Sequence, residues 1–139
     1  MAVAPTQDEV RTLQQRAAAA AENSYSPYSR FRVGAAVLLE NGEIVVGTNV
    51  ENASYRLTTC AEQAAIAAAV SRFGPGIRIR AVAIANLNGA ACMPCGACRQ
   101  TLLEFADASV PILYPDATGG IAQSTVGTLL PAAFTLAPE

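Results

Sequence analysis

Two short segments, Thr59-Cys60-Ala61-Glu62 and Pro94-Cys95-Gly96-Ala97-Cys98, constrain this chain more than anything else in it. Each stands where a helix is predicted to begin, and a strand pattern runs between them. The spacing of Cys95 and Cys98 puts two thiols near one helical turn. Cys60 supplies a third only in a fold that brings both helix starts to one place. Helix N-termini favour thiolate over thiol, because free N–H groups and a partial positive charge stabilise an anion. Three such sulfurs can hold a tetrahedral metal ion with one position open, and Glu62 is spaced to reach that position without being a ligand.

What the chain lacks narrows its chemistry. There is no histidine, and all nine basic side chains are arginine. No imidazole is present to serve as base to a serine or cysteine nucleophile. No lysine is present for a Schiff base or a phosphate-binding loop. A firmly held transition metal therefore depends on thiolate and carboxylate. The formal net charge of −2 argues against a surface that tracks nucleic-acid phosphates. The first helix carries Asp8, Glu9, Arg11 and Arg16, with no run resembling a signal segment or a bilayer span. A cytoplasmic protein with no membrane partner is expected, and cysteines there serve as metal ligands or free thiols more often than as disulfides.

Along the chain, Thr6 with Glu9 three residues on marks the start of a helix over residues 6–24. Residues 31–39 and 43–50 read as strands joined at Asn41-Gly42, the signal of a two-residue hairpin turn. An alanine-rich helix follows from Cys60 to Phe73, ended by Gly74-Pro75-Gly76. Residues 77–85 read as a strand covered on both faces, 95–105 as a helix, 110–114 as a short strand and 124–130 as a final helix. The 139 residues are expected to form one α/β domain, a mixed sheet with helices on both faces. Pattern alone leaves the strand order open.

The motif Cys-x-Glu followed by Pro-Cys-x-x-Cys matches the general signature of zinc deaminases, with cysteine at the position that is histidine in some of them. Cys92 adds a third member to a C-x2-C-x2-C run, which suggests part of an iron–sulfur motif or a fourth ligand closing a structural zinc site. Pro94 interrupts a smooth wrap and no Cys-Pro follows, so Cys92 is read as a structural thiol near the site.

Over nearly its whole length the chain resembles the small, homotetrameric cytidine deaminases. The resemblance rests on residues 28–36 (YSRFRVGAA), 47–55 (GTNVENASY), the two cysteine segments, Arg99-Gln100 and residues 129–134 (LLPAAF). It implies a three-layer α/β/α fold around a mixed five-stranded sheet, one zinc per subunit, and sites completed by neighbouring subunits in a homotetramer. It implies that zinc, held by Cys60, Cys95 and Cys98, acidifies the water that adds to C4 of the pyrimidine. Glu62 then moves the protons, giving uridine and ammonia. Asn49 and Glu51 would bind ribose hydroxyls, Phe31 would pack on the base, and the backbone of Ala61 would contact it. Tyr55 and Phe134 would reach a neighbour's site. The plainer readings are polar strand ends for Asn49 and Glu51, strand core for Phe31, and interface core for Tyr55 and Phe134.

One residue departs from the family pattern. Arginine commonly follows the glutamate, and here Gln63 stands in its place. Compensation of three thiolate charges would then fall to Arg99 and the helix N-termini, with Gln63 supplying hydrogen bonds only. Competing readings are a zinc deaminase of another small base or nucleoside antibiotic, and a non-catalytic zinc-stabilised binding module.

Overall fold

A computed structural model describes residues 3–137. Helix α1 spans Gln7–Ala21, opened by the reciprocal capping box of Thr6 and Glu9 that the sequence announces. Strands β1 (Val33–Leu39) and β2 (Ile44–Thr48) form the hairpin. Helix α2 (Ala61–Phe73), strand β3 (Ile79–Asn86), helix α3 (Gly96–Phe105) and strand β4 (Pro111–Pro115) follow. Strand β5 (Ile121–Thr125) and the short helix α4 (Val126–Leu129) end the order.

The five strands make one sheet in the order β2-β1-β3-β4-β5. Strands β3 and β4 are parallel, joined by the α3 crossover, while β2–β1, β1–β3 and β4–β5 are antiparallel. Two reversals separate β2 from β3, so β2, β3 and β4 all run the same way. Helix α2 follows β2 and α3 follows β3. Their N-termini therefore emerge at the same end of the sheet, where α/β proteins place their sites.

Every residue of β1 is buried, because the strand is covered on both faces. On one face Ala36 and Leu38, with Ala81 and Ala83 of β3, pack against Leu13 and Ala17 of α1. On the other, Val33, Ala35, Val37 and Leu39 pack with Ala61, Ala65, Ile66 and Ala69 of α2. The alternation follows the two-residue period of a strand and yields the α/β/α layering expected from the resemblance. Among the described residues, no helix is long and apolar enough to cross a membrane.

Three local expectations need correction. The hairpin has a three-residue loop, Glu40–Gly42, not a two-residue one. Gly42 donates to the Leu39 carbonyl at 3.0 Å, and Leu39 donates to the Glu43 carbonyl at 2.9 Å. Gly42 alone takes positive φ (87°), whereas a type I′ turn would need it at Asn41 as well. Helix α1 stops at Ala21, freeing Tyr25 to bridge Val50. Ser124 and Thr125 belong to β5, not to the last helix; as an edge strand with mostly polar side chains, β5 lacks the apolar alternation that reveals inner strands.

Gly47 decides how closely α2 approaches the sheet. A Cβ built there would lie 2.4 Å from the Ala65 amide nitrogen and 2.5 Å from the Ala61 carbonyl oxygen. Gly34 does the same for α1, with the Ala17 carbonyl oxygen at 2.0 Å. Gly47→Ala must push the first turn of α2, and with it Cys60 and Glu62, off β2. We expect a loss of about 1–3 kcal/mol of stability or more, as for other overpacked cores, read as a lower Tm together with less bound zinc. Gly42→Ala, whose Cβ meets nothing within 4 Å, should cost stability but leave zinc content unchanged.

Candidate active site

The cysteines use the two helix ends as the sequence suggests. Cys60 is the N-cap of α2 and Cys95 the N-cap of α3; both have extended backbones (ψ 152° and 168°), and neither thiol caps its own helix. Their sulfurs are thus left for another partner beside the unpaired N–H groups of the first turns. Cys98, the third residue of α3, is fully buried. The Sγ atoms of Cys95 and Cys98 are 3.4 Å apart, those of Cys60 and Cys95 are 4.0 Å apart, and all three lie within 4.8 Å of one another. Zinc–sulfur bonds of ~2.3 Å in a tetrahedron require sulfurs ~3.8 Å apart, so the donor set fits zinc. Cys95 is exposed and Cys60 half-buried, which leaves the cluster open on one side.

Proton affinities reflect this crowding. The Cys98 thiol beside it draws Cys60 down to about 7 against the cost of burial, and the same bond, with burial, raises Cys98. Cys92 lies outside the cluster, its amide bonded to the Pro115 carbonyl at 2.9 Å. Burial and the Glu62 charge push its thiol up to about 11, so it stays protonated and packs against the core. That geometry disfavours both the three-cysteine wrap and the closed four-sulfur site. Glu62, the second residue of α2, is only 5% exposed. Burial raises its carboxyl above the ordinary range, opposed by bonds from its own amide and from the Cys98 thiol.

Asn49 and Glu51 converge on the loop that carries Phe31. Asn49 is buried; its Oδ1 accepts from the Val33 amide at 3.0 Å and from the Ser24 hydroxyl, and its Nδ2 donates to the Phe31 carbonyl at 2.8 Å. The Glu51 carboxylate accepts from the Ser29 hydroxyl and from the amides of Tyr28 and Ser29 at 3.0 and 3.1 Å; the hydroxyl bond first, and then the two amides, lower its pKa against desolvation. Between these anchors Arg30 adopts φ 60°, unusual outside glycine. Phe31 is half-buried against the core. Ala61 is buried at the first position of α2, and Gln63 is half-buried two residues on.

Tyr55 and Phe134 are 76% and 72% exposed. Tyr55 sits in a 3₁₀ turn over Tyr55–Leu57, edge-on to Tyr28 with centroids 6.4 Å apart. Arg99 spends its guanidinium on two backbone carbonyls, Pro94 and Leu129, each at 2.8 Å. Asn88 went unread in the sequence beyond its turn with Gly89. Its Oδ1 accepts from the Arg32 amide and its Nδ2 donates to the Arg30 carbonyl, both at 2.9 Å, so it clamps the Phe31 loop from the β3 side. An Asn-Gly pair looks the same whether its amide serves its own turn or a loop far off in sequence.

Comparison with known proteins agrees with this geometry. Residues 7–114 match the model of the cytidine and deoxycytidylate deaminase zinc-binding region. Sheet, helices and thiol cluster thus define a zinc-binding deaminase domain. The cytidine deaminase of Sporosarcina psychrophila is 44% identical over 117 residues, 84% of each chain. The crystal structure of cytidine deaminase from Mycobacterium tuberculosis superposes with a TM-score of 0.81 at 44% identity, covering 92% of this chain and 98% of that one. The one from Burkholderia pseudomallei gives 0.82 at 37% identity, covering 94% and 100%. The chain belongs to the cytidine deaminase family.

Metal analysis checks the division among the cysteines. Purified protein should carry one zinc per chain, and Cys92→Ala should keep it. Cys98→Ala, which removes the buried thiol of the cluster, should lower zinc content severalfold or abolish it.

Proposed function

We propose that this chain hydrolyses cytidine, and deoxycytidine as well, to the corresponding uracil nucleoside and ammonia, as expected of pyrimidine salvage. The observation that carries the proposal is a buried Glu62 beside three convergent thiols on an open cluster. A closed structural zinc module has no use for that carboxylate. Cys60, Cys95 and Cys98 would hold zinc, which when bound would make water acidic enough to give up a proton at neutral pH.

The remaining steps belong to the chain's own groups. Glu62 takes the proton that the water loses and hands it to N3 of the pyrimidine, which makes C4 more electrophilic. The water oxygen bonds to C4, and Glu62 then carries the proton of the resulting C4 hydroxyl to the amine as the C4–N bond breaks, so that one water is consumed and one ammonia released. Burial keeps the carboxylate poorly solvated and so a ready proton acceptor. Asn49 has its oxygen filled by two donors and one Nδ2 hydrogen committed, so it offers a ribose hydroxyl a donor only. Glu51 is the complementary acceptor for a hydroxyl proton. Phe31, held by both residues and Asn88, packs on the base, and the Ala61 backbone contacts its edge. Charge compensation for the thiolates falls to Arg99 and the two helix N-termini, with the uncharged Gln63 limited to hydrogen bonding.

We further propose that the 139 residues act as one domain in a cytoplasmic homotetramer. A reducing compartment suits a centre made of free thiols. Exposed Tyr55, Leu57, Phe134 and Leu136 are the apolar side chains that subunit contacts would bury, with Tyr55 and Phe134 completing a neighbour's site.

Adding cytidine should lower the ultraviolet absorbance of the solution with release of one ammonia per turnover, and deoxycytidine should do the same. Free cytosine, lacking the ribose, should react far more slowly. Equal rates on cytosine would remove the roles of Asn49 and Glu51. Glu62→Gln should retain zinc and lose about 10²–10⁴-fold in kcat, the span of a general acid–base group; near-normal turnover would overturn its assignment. Light scattering should report four chains per particle, and a monomer with full activity would refute the shared site.

A further inference from the structure

Arg99 grips Cys95 from both sides. Its amide donates to the Cys95 carbonyl at 2.9 Å, and its Nε donates to the Pro94 carbonyl, the peptide just before Cys95, at 2.8 Å. The Pro94 side chain is fully buried, so the turn is anchored to the core on the side before Cys95. The same guanidinium reaches the C-terminal part of the chain: Nη1 donates to the Leu129 carbonyl, the last residue of α4, at 2.8 Å. The next residue continues the link, Gln100 Nε2 donating to the Phe134 carbonyl at 3.0 Å. At its other end α4 is anchored by buried Val126 and by the Gly127 amide on the Ala108 carbonyl at 2.9 Å. The two residues following a metal ligand are therefore the ones that seat residues 129–134.

We propose that Arg99 is a positioning residue for the metal centre. It holds Cys95 where the three-thiol set requires it and makes that placement depend on the seating of the segment from Leu129 to Phe134. The reason is geometric. Cys95 is an N-cap, outside the regular helix and more exposed than its two partners, so its sulfur is the ligand least fixed by packing. A planar fork with donors along two directions can satisfy Pro94 and Leu129 together, whereas a lysine ammonium offers one point on a flexible stem. The inference rests on the thiol cluster holding zinc and is independent of which nucleoside is the substrate.

Two variants separate position from charge. Arg99→Met keeps most of the stem and removes the hydrogen bonds, and Arg99→Lys keeps the positive charge. Transfer of zinc to a chromogenic chelator is timed for each, and cobalt-substituted protein is compared by its sulfur-to-metal charge-transfer band. Loss of an outer partner to a metal site costs about 10–100-fold in affinity. Both variants should release zinc at least tenfold faster than the unaltered protein and shift the cobalt band. If Arg99→Lys releases zinc at the original rate, charge alone is at work and the proposal falls.

Should either variant fail to fold, amide exchange of the unaltered protein with and without zinc decides. Removing zinc should speed exchange in residues 126–134 more than in α1, which packs on the opposite face of the sheet. An equal response in α1 and the C-terminal segment, or none in that segment, would overturn the coupling. Substrate turnover enters none of these readouts, so a wrong assignment of cytidine would leave them unchanged.

Discussion

The convergence of two helix N-termini at one end of the sheet is the arrangement on which the site depends. Each first turn presents backbone N–H groups with no partner inside its helix and a partial positive charge. Placing two such ends together would be unfavourable if nothing negative lay between them. Three thiols fill that space, two as N-caps and one in the first turn of α3. The opposition of helix ends and sulfurs makes an anionic metal centre tolerable in a chain with no histidine and, in Gln63, an uncharged residue beside the Glu62 carboxylate.

Chain direction and close packing bring the ends together. The hairpin and the parallel β3–β4 crossover aim α2 and α3 out of the same end of the sheet. Gly47 then lets the backbone of α2 settle on β2 at a distance no side chain would permit. Alanines on the buried face of α2 serve the same end. A larger residue at any of these points would move Cys60 and Glu62 as one body, because they share the first turn.

The loop around Phe31 shows a different economy. Asn49 and Glu51 lie at the end of the hairpin, and most of their hydrogen-bonding capacity is consumed by that loop. The plainer reading of them as strand-end polar residues and the reading as sugar-binding groups are therefore not rivals. The bonds that hold Phe31 also fix the remaining donor of Asn49 and the exposed face of Glu51. Asn88, from the far side of β1, completes the clamp.

Helix starts, the capping box, the inner strands and the cysteines of the thiol cluster were legible from residues 6–114 because each is a local matter: a cap, a period or a spacing. The hairpin loop was misread because Asn41-Gly42 suits two turn types, and only the register of β1 with β2 chooses between them. Strand β5 escaped because an edge strand has one partner and no apolar alternation, so its identity resides in hydrogen bonds to β4. Arg99 and Asn88 were visible as residues and invisible as links, since their partners lie far along the chain. By itself the sequence determined which atoms can bind zinc and move protons, because those properties belong to side chains. Tertiary structure decided that three sulfurs stand within 4.8 Å of one another and that one arginine joins their loop to the C-terminal segment. Distance between remote residues is set by the packing of the sheet and helices, which no local stretch of sequence contains.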